Sequence, residues 1–117
     1  MKQNFLTLLI TISLLLNVQY SIAQSTVTSA SIKTNIYCDH CLECPTCGIL
    51  LLNKLKQIKG IRQVNINTTL KLIKVSYEPS VIKINSIREH IAALGYDADA
   101  IKASISAYNS LDACCKK

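Results

Sequence analysis

Past residue 47 the apolar positions fall into a helical rhythm. Leu51, Leu52, Leu55 and Ile58 recur at helical spacing, while Asn53, Lys54, Lys56 and Gln57 lie on the other side. That spacing predicts an amphipathic helix with one face for a core. Pro45 suits its first turn and Gly60 the position just past its end. The rhythm then shortens to two. Val64 and Ile66 alternate with Gln63, Asn65 and Asn67, Asn67-Thr68-Thr69 makes a turn, and residues 70–77 set Ile73, Val75 and Tyr77 against Lys74 and Ser76. Two half-buried strands of a hairpin follow, ended by Pro79. Helical spacing returns with Ile84, Ile87, Ile91 and Leu94 and stops at Gly95. Before the first helix, Ile32–Tyr37 reads as a strand; residues 96–102 read as a weak edge strand and residues 104–112 as a short terminal helix.

The order β-α-β-β-α-β is that of the split βαβ, or ferredoxin-like, sandwich. The expected fold is therefore α+β, with two helices on one face of a four-stranded antiparallel sheet. Residues 32–102 would form this domain, residues 24–31 (QSTVTSAS) a flexible polar lead-in, and residues 103–117 a tail that carries Cys114 and Cys115. Residues 1–23 follow a different logic. Lys2 precedes the apolar run FLTLLITISLLL, and Ser21-Ile22-Ala23 ends in a small residue. This is the pattern of a secretory signal peptide, with cleavage expected between Ala23 and Gln24. The run has twelve residues, whereas a membrane span needs roughly 20, so stable membrane insertion after cleavage is not expected. No cysteine follows the cleavage site to take a lipid.

Removing residues 1–23 from the 117 leaves 94, enough for one domain with a modest core. The formal charge falls from +6 to +5 because Lys2 leaves. The remaining lysines are scattered and aromatic residues are scarce, which argues against nucleic acid as a partner. Export to a periplasmic or secreted location means an oxidising compartment, where thiols can pair.

That bears on YCDHCLECPTCG, residues 37–48, which sets Cys38, Cys41, Cys44 and Cys47 three positions apart. They fall in the loop after the first strand and on the first turn of the first helix. Unpaired N–H groups at a helix start favour thiolate, the form that binds metal. Two sulfurs two residues apart can converge on one ion, and soft thiolates select Cu(I), zinc and similar ions over calcium or magnesium. His40 could add a nitrogen ligand or be a solvated loop residue. His90, at the edge of the apolar face of the second helix, reads as a packing residue. Asp97 and Asp99 would share a solvent face. No Ser-His-Asp set, phosphate loop or acid–base pair suggests an enzyme.

With these features in place, the chain resembles the heavy-metal-associated domain family. The resemblance rests on CPTCGILLLNKLKQIKGI, VNIN, KLIKVSYEP and IREHIAALGYDA, and covers roughly residues 31–101. It implies a soft-metal carrier of the kind found in copper chaperones, in N-terminal modules of copper- and zinc-transporting ATPases, and in the periplasmic mercury-binding protein. The thirteen positions from Cys47 to Gly60 match the family's spacing and imply Cys44 and Cys47 as the metal-binding pair. Counted from the strand IKTNIY, the site resembles an exported bacterial branch and begins at Cys38, with Cys41 inside an enlarged loop. The ending LDACCK resembles the same branch. The chain departs from the family in having no Met near the motif, where Glu43 precedes Cys44. The cargo implied is Cu(I), Hg(II), Zn(II) or Cd(II); extra thiols suit the higher coordination of Zn(II) or Cd(II). The partners implied are a membrane metal transporter or another cysteine-containing metal-binding domain.

Three other readings compete. Disulfides confined to the loop would close only tiny rings with little entropic benefit, although a disulfide could pin the tail. An iron–sulfur cluster is disfavoured because Gly48, and not proline, follows the last cysteine. A thiol–disulfide redox protein using the C-x-x-C pairs stands as the alternative function. Cys114 and Cys115 could fold back so that at least one joins the loop site, or could form a second site.

Overall fold

The computed structural model describes Gln3, residues 25–38, His40 and residues 43–117. The expected signal peptide (Gln3 apart) and Cys41 lie outside the described residues. No described helix is long and apolar enough to cross a membrane.

Among the described residues, three strands form the sheet: β1 (Thr28–Lys33), β2 (Ile61–Asn67) and β3 (Leu72–Tyr77). β3 is central and pairs antiparallel with both neighbours, Ile73 lying opposite Ile32 on one side and Ile66 on the other. Alternation then sends Ile32, Val64, Ile66, Ile73 and Val75 to one buried face. Helices α1 (Gly48–Lys56) and α2 (Ile84–Ala93) complete the core with Leu51, Leu55, Ile87 and Ile91, each at most 1% exposed. A short α3 (Ile105–Ser110) and a 3-10 turn (Ala113–Cys115) follow.

Two glycines hold the helix ends. Gly60 (φ +95°) turns the chain from α1 into β2, where an added Cβ would come within 2.9 Å of Val81 and Ile82. Gly95 (φ +98°) ends α2 with the backbone of α3 against it, so that a Cβ would lie 2.9 Å from the Ala107 carbonyl oxygen. Both positions need positive φ, which costs an L-residue strain even without the crowding.

The structure corrects the sequence reading at both ends of the domain. The first strand is Thr28–Lys33 and not Ile32–Tyr37, so half of the expected lead-in is strand. Small Ser and Thr residues hide the period, but the ladder from Thr28↔Tyr77 to Lys33↔Leu72 sets the register. Ile36, beyond the strand, still enters the core at 2% exposure. The fourth strand is not seen. Residues 96–101 form a tight turn closed by an Ala98–Ile101 bridge, with Asp99 at φ +54°. Their own acidic side chains fold this segment: Asp97 accepts from the Ala103 N–H, and Asp99 accepts from the Lys33 N–H and from Arg88. The Asp99 N–H in turn donates to the Lys33 carbonyl, so one residue covers the end of β1 in place of a strand. Asp97 and Asp99 therefore do not share a solvent face. His90 is exposed, its ring N–H directed at the Ser86 carbonyl, and does not pack. Pro45 lies in a turn before α1 and not in its first turn.

Gly95→Ala should destabilise the fold by about 1–3 kcal/mol, through positive-φ strain and displacement of α3; chemical denaturation checks this. Partial burial works to raise the Asp99 pKa, but the Lys33 N–H and the Arg88 guanidinium outweigh it, and the carboxyl sits below its ordinary value. A carboxyl depressed on folding contributes stability above its unfolded pKa and loses it as pH falls through the folded one. Stability should thus decline below pH ~4, and Asp99→Asn should flatten that decline. Identical acid limbs for the two proteins would remove Asp99 from the account.

Candidate metal centre

The pole of the molecule where α1 begins gathers the five described cysteines. Cys47 immediately precedes α1, and its carbonyl accepts the Leu51 N–H at 2.9 Å. The Cys44 carbonyl accepts from the N–H groups of Cys47 (3.3 Å) and Ile49 (3.4 Å), winding the loop tightly onto the helix. Cys38 and Cys44 are half-buried against the core, whereas Cys47 is fully buried in it.

Cys47 is joined by a disulfide to Cys115, 68 positions away. The tail therefore returns to the loop, and Cys47 in this state is a bridged sulfur and not a thiolate. Entropy argues against disulfides within the loop, but the same reasoning favours a loop-to-tail bridge, because it closes a long ring. Cys38, Cys44 and Cys114 are free thiols. The sulfurs of Cys44, Cys47 and Cys114 lie within 4.8 Å of one another. Cys114 Sγ is 3.7 Å from Cys115 Sγ and borders Cys38. His40 is exposed and serves the turn through its carbonyl, which accepts from the Glu43 and Cys44 N–H groups; it does not belong to the sulfur cluster.

The two free thiols that cluster with Cys47, Cys44 and Cys114, differ electrostatically. The Thr46 hydroxyl, 3.2 Å from Cys44 Sγ, and the Thr46 and Cys47 N–H groups hold Cys44 below the ordinary thiol value, against desolvation and Asp112. Thr46 also hydrogen-bonds the Asp112 carboxylate. It has one hydroxyl proton, so it favours the Cys44 thiolate only while it donates to sulfur and not to Asp112. Cys114 is pushed up by desolvation, by the neighbouring Cys38 and Cys44 sulfurs, and by Asp112. Thiolates crowded at this pole repel one another, and a bound cation would relieve that repulsion.

Residues 40–97 match the heavy-metal-associated domain family. The chain carries a heavy-metal-associated domain. A zinc-transporting ATPase of Synechocystis is 28% identical over 65 residues, which are 56% of this chain and 9% of the ATPase. The chain thus spans about a tenth of that relative. Oxidized MerP from Ralstonia metallidurans CH34 superposes with a TM-score of 0.53 at 12% identity, over 63% of this chain and 96% of MerP. The water-soluble region of the P-type ATPase CopA from Bacillus subtilis gives 0.53 at 23%, over 63% and 46% of the two chains. At these identities the structural likenesses are of fold. β1 and the tail lie outside the matched residues of the heavy-metal-associated domain.

Sequence reasoning missed the contacts that bind the tail to this domain. Thr46 and Asp112 are 66 positions apart. Lys117 sits 5.6 Å over the Tyr37 ring, and its backbone N–H and carbonyl both engage the Tyr108 hydroxyl. No local pattern announces such pairs. Because the bridge closes a long ring, Cys115→Ser should lower stability by about 2–4 kcal/mol. Reductant should lower wild type similarly and leave Cys115→Ser nearly unchanged in denaturant titrations.

Proposed function

We propose that this is an exported protein that captures a soft metal ion with cysteine thiolates and passes it on by thiolate exchange. The observation that carries this reading is the gathering of sulfurs at one pole of a heavy-metal-associated domain, where a short surface loop meets the start of α1. Cys44 and Cys47 are the central pair, and Cys38 and Cys41 precede them in the sequence as further sulfur donors. Soft sulfur donors favour Cu(I), Hg(II), Zn(II) or Cd(II). The similarity to part of a zinc-transporting ATPase supports zinc within that range. Transfer requires a sulfur pair that a partner can reach, and Cys44 and Cys114 are accessible enough to begin exchange. A membrane metal transporter or another cysteine-bearing domain would complete it, with no catalytic role for this chain. The signal-like residues 1–23 support export; a secreted form whose sequence begins at Gln24 is the expected product.

A second reading has its own observation. The Cys47–Cys115 disulfide lies beside free thiols, as a thiol–disulfide redox protein would require. Titration separates the two. Fully reduced chain should bind one soft ion per molecule, and Cys44→Ser or Cys47→Ser should weaken it by more than about 100-fold, beyond the usual loss on removing an outer-shell partner. Weak binding together with a strongly oxidising disulfide would favour the redox reading instead.

A further inference from the structure

The geometry points to a metal site that the tail completes and a disulfide locks: Cys114 is the third sulfur beside Cys44 and Cys47, and the Cys47–Cys115 bridge withholds that site until it is reduced. This inference rests on the reading of Cys44 and Cys47 as metal thiolates and adds the tail to it.

The three sulfurs already lie within 4.8 Å of one another. Metal–sulfur bonds of about 2.3 Å place ligand sulfurs about 4 Å apart, so closure asks each pair to move by less than about 1 Å. The side chains come from a loop and a tail separated by more than sixty residues, and what holds them together is not the disulfide alone. Asp112 bonds Thr46, Leu111 packs on the core, Lys117 stacks on Tyr37 and caps Tyr108, and the backbone of α3 rests on Gly95. Opening the bridge therefore leaves Cys114 where it is. Cys115 and Cys47 are buried and Cys114 is exposed, so the three play different parts. Cys115 is the lock, Cys47 is the ligand that it holds, and Cys114 is the ligand that meets the incoming ion.

The chemistry balances with one co-reactant, an external dithiol. One of its thiolates attacks a sulfur of the bridge; the Cys47–Cys115 bond breaks and a mixed disulfide forms. The second thiol of the reductant resolves it, leaving oxidised dithiol and two cysteine thiols on this chain. A divalent ion then displaces three protons from Cys44, Cys47 and Cys114 and is held by three thiolates. Run in reverse, the exchange closes the site: the oxidised dithiol takes two electrons and two protons from Cys47 and Cys115, returning to its dithiol form as the Cys47–Cys115 bond re-forms. The loss of Cys47 as a ligand would promote release.

The test uses the full chain, Cd(II) alone as the probe, and a phosphine reductant that does not itself compete as a thiol. Affinity is read by chelator competition and the number of sulfurs by X-ray absorption. Reduced wild type should bind one Cd(II) through at least three sulfurs, and the bridged form should bind it at least about 100-fold more weakly, since every tenfold is only 1.4 kcal/mol of lost ligation. Cys114→Ser, a change at an exposed position, should fold normally by circular dichroism, lose one sulfur and bind at least about tenfold more weakly. Reduced Cys115→Ser should match reduced wild type. An unchanged sulfur count and affinity in Cys114→Ser would overturn the tail ligand while leaving the loop pair standing. Equal affinity in bridged and reduced wild type would overturn the lock. Absence of binding by reduced wild type would instead defeat the underlying metal reading.

Discussion

Cys47 is both the residue that leads into α1 and a member of the hydrophobic core, 1% exposed beside Leu51 and Leu55. Its sulfur thus has a fixed position relative to the sheet, and everything at this pole is arranged around it. The loop ahead of it is wound back by backbone bonds onto Cys44, and the tail behind is drawn in through Cys115. A sulfur so placed cannot drift to meet an ion. In the proposed site the ion would have to come to this sulfur, and the more exposed Cys44 and Cys114 would be the first to meet it.

The sheet and helices supply this fixed point by ordinary means. β3 is the central strand, and Ile73 is fully buried between Ile32 and Ile66. The two helices close over that face, and positive-φ glycines at Gly60 and Gly95 let the chain reverse without moving the helices off it. Gly95 also admits the backbone of α3, so the packing that ends α2 is the packing that starts the tail on its way back to the loop. Fold and site are joined at that step.

Legibility followed the strength of the local signal. The stripe Leu51, Leu55, Ile87, Ile91 and the alternation Val64, Ile66, Ile73, Val75 are periodic and long enough to read, and they form the elements expected of them. The bounds of β1 are not legible locally because Thr28, Ser29 and Ser31 carry no apolar period; partner strand β3 chooses their conformation. The edge strand failed to form because Asp97 and Asp99 found nearer partners than a ladder: the Ala103 N–H, Lys102, the Lys33 N–H and Arg88. Short acidic segments are decided by such competition, and sequence shows only one side of it.

At the cysteine pole, the residues by themselves determined the kind of chemistry. Four closely spaced thiols ahead of an amphipathic helix are soft donors wherever they finally sit, because donor softness is a property of the atom. Which sulfurs face one another was decided by tertiary structure alone. Cys47 and Cys115 are separated by 68 positions, and no local preference selects that pair from the others. It is selected because Gly95, Leu111, Asp112 and Lys117 give the tail a path back across the core to the start of α1. Pairing over such a distance depends on where the packed elements leave the chain, and that is settled only when the whole core has formed.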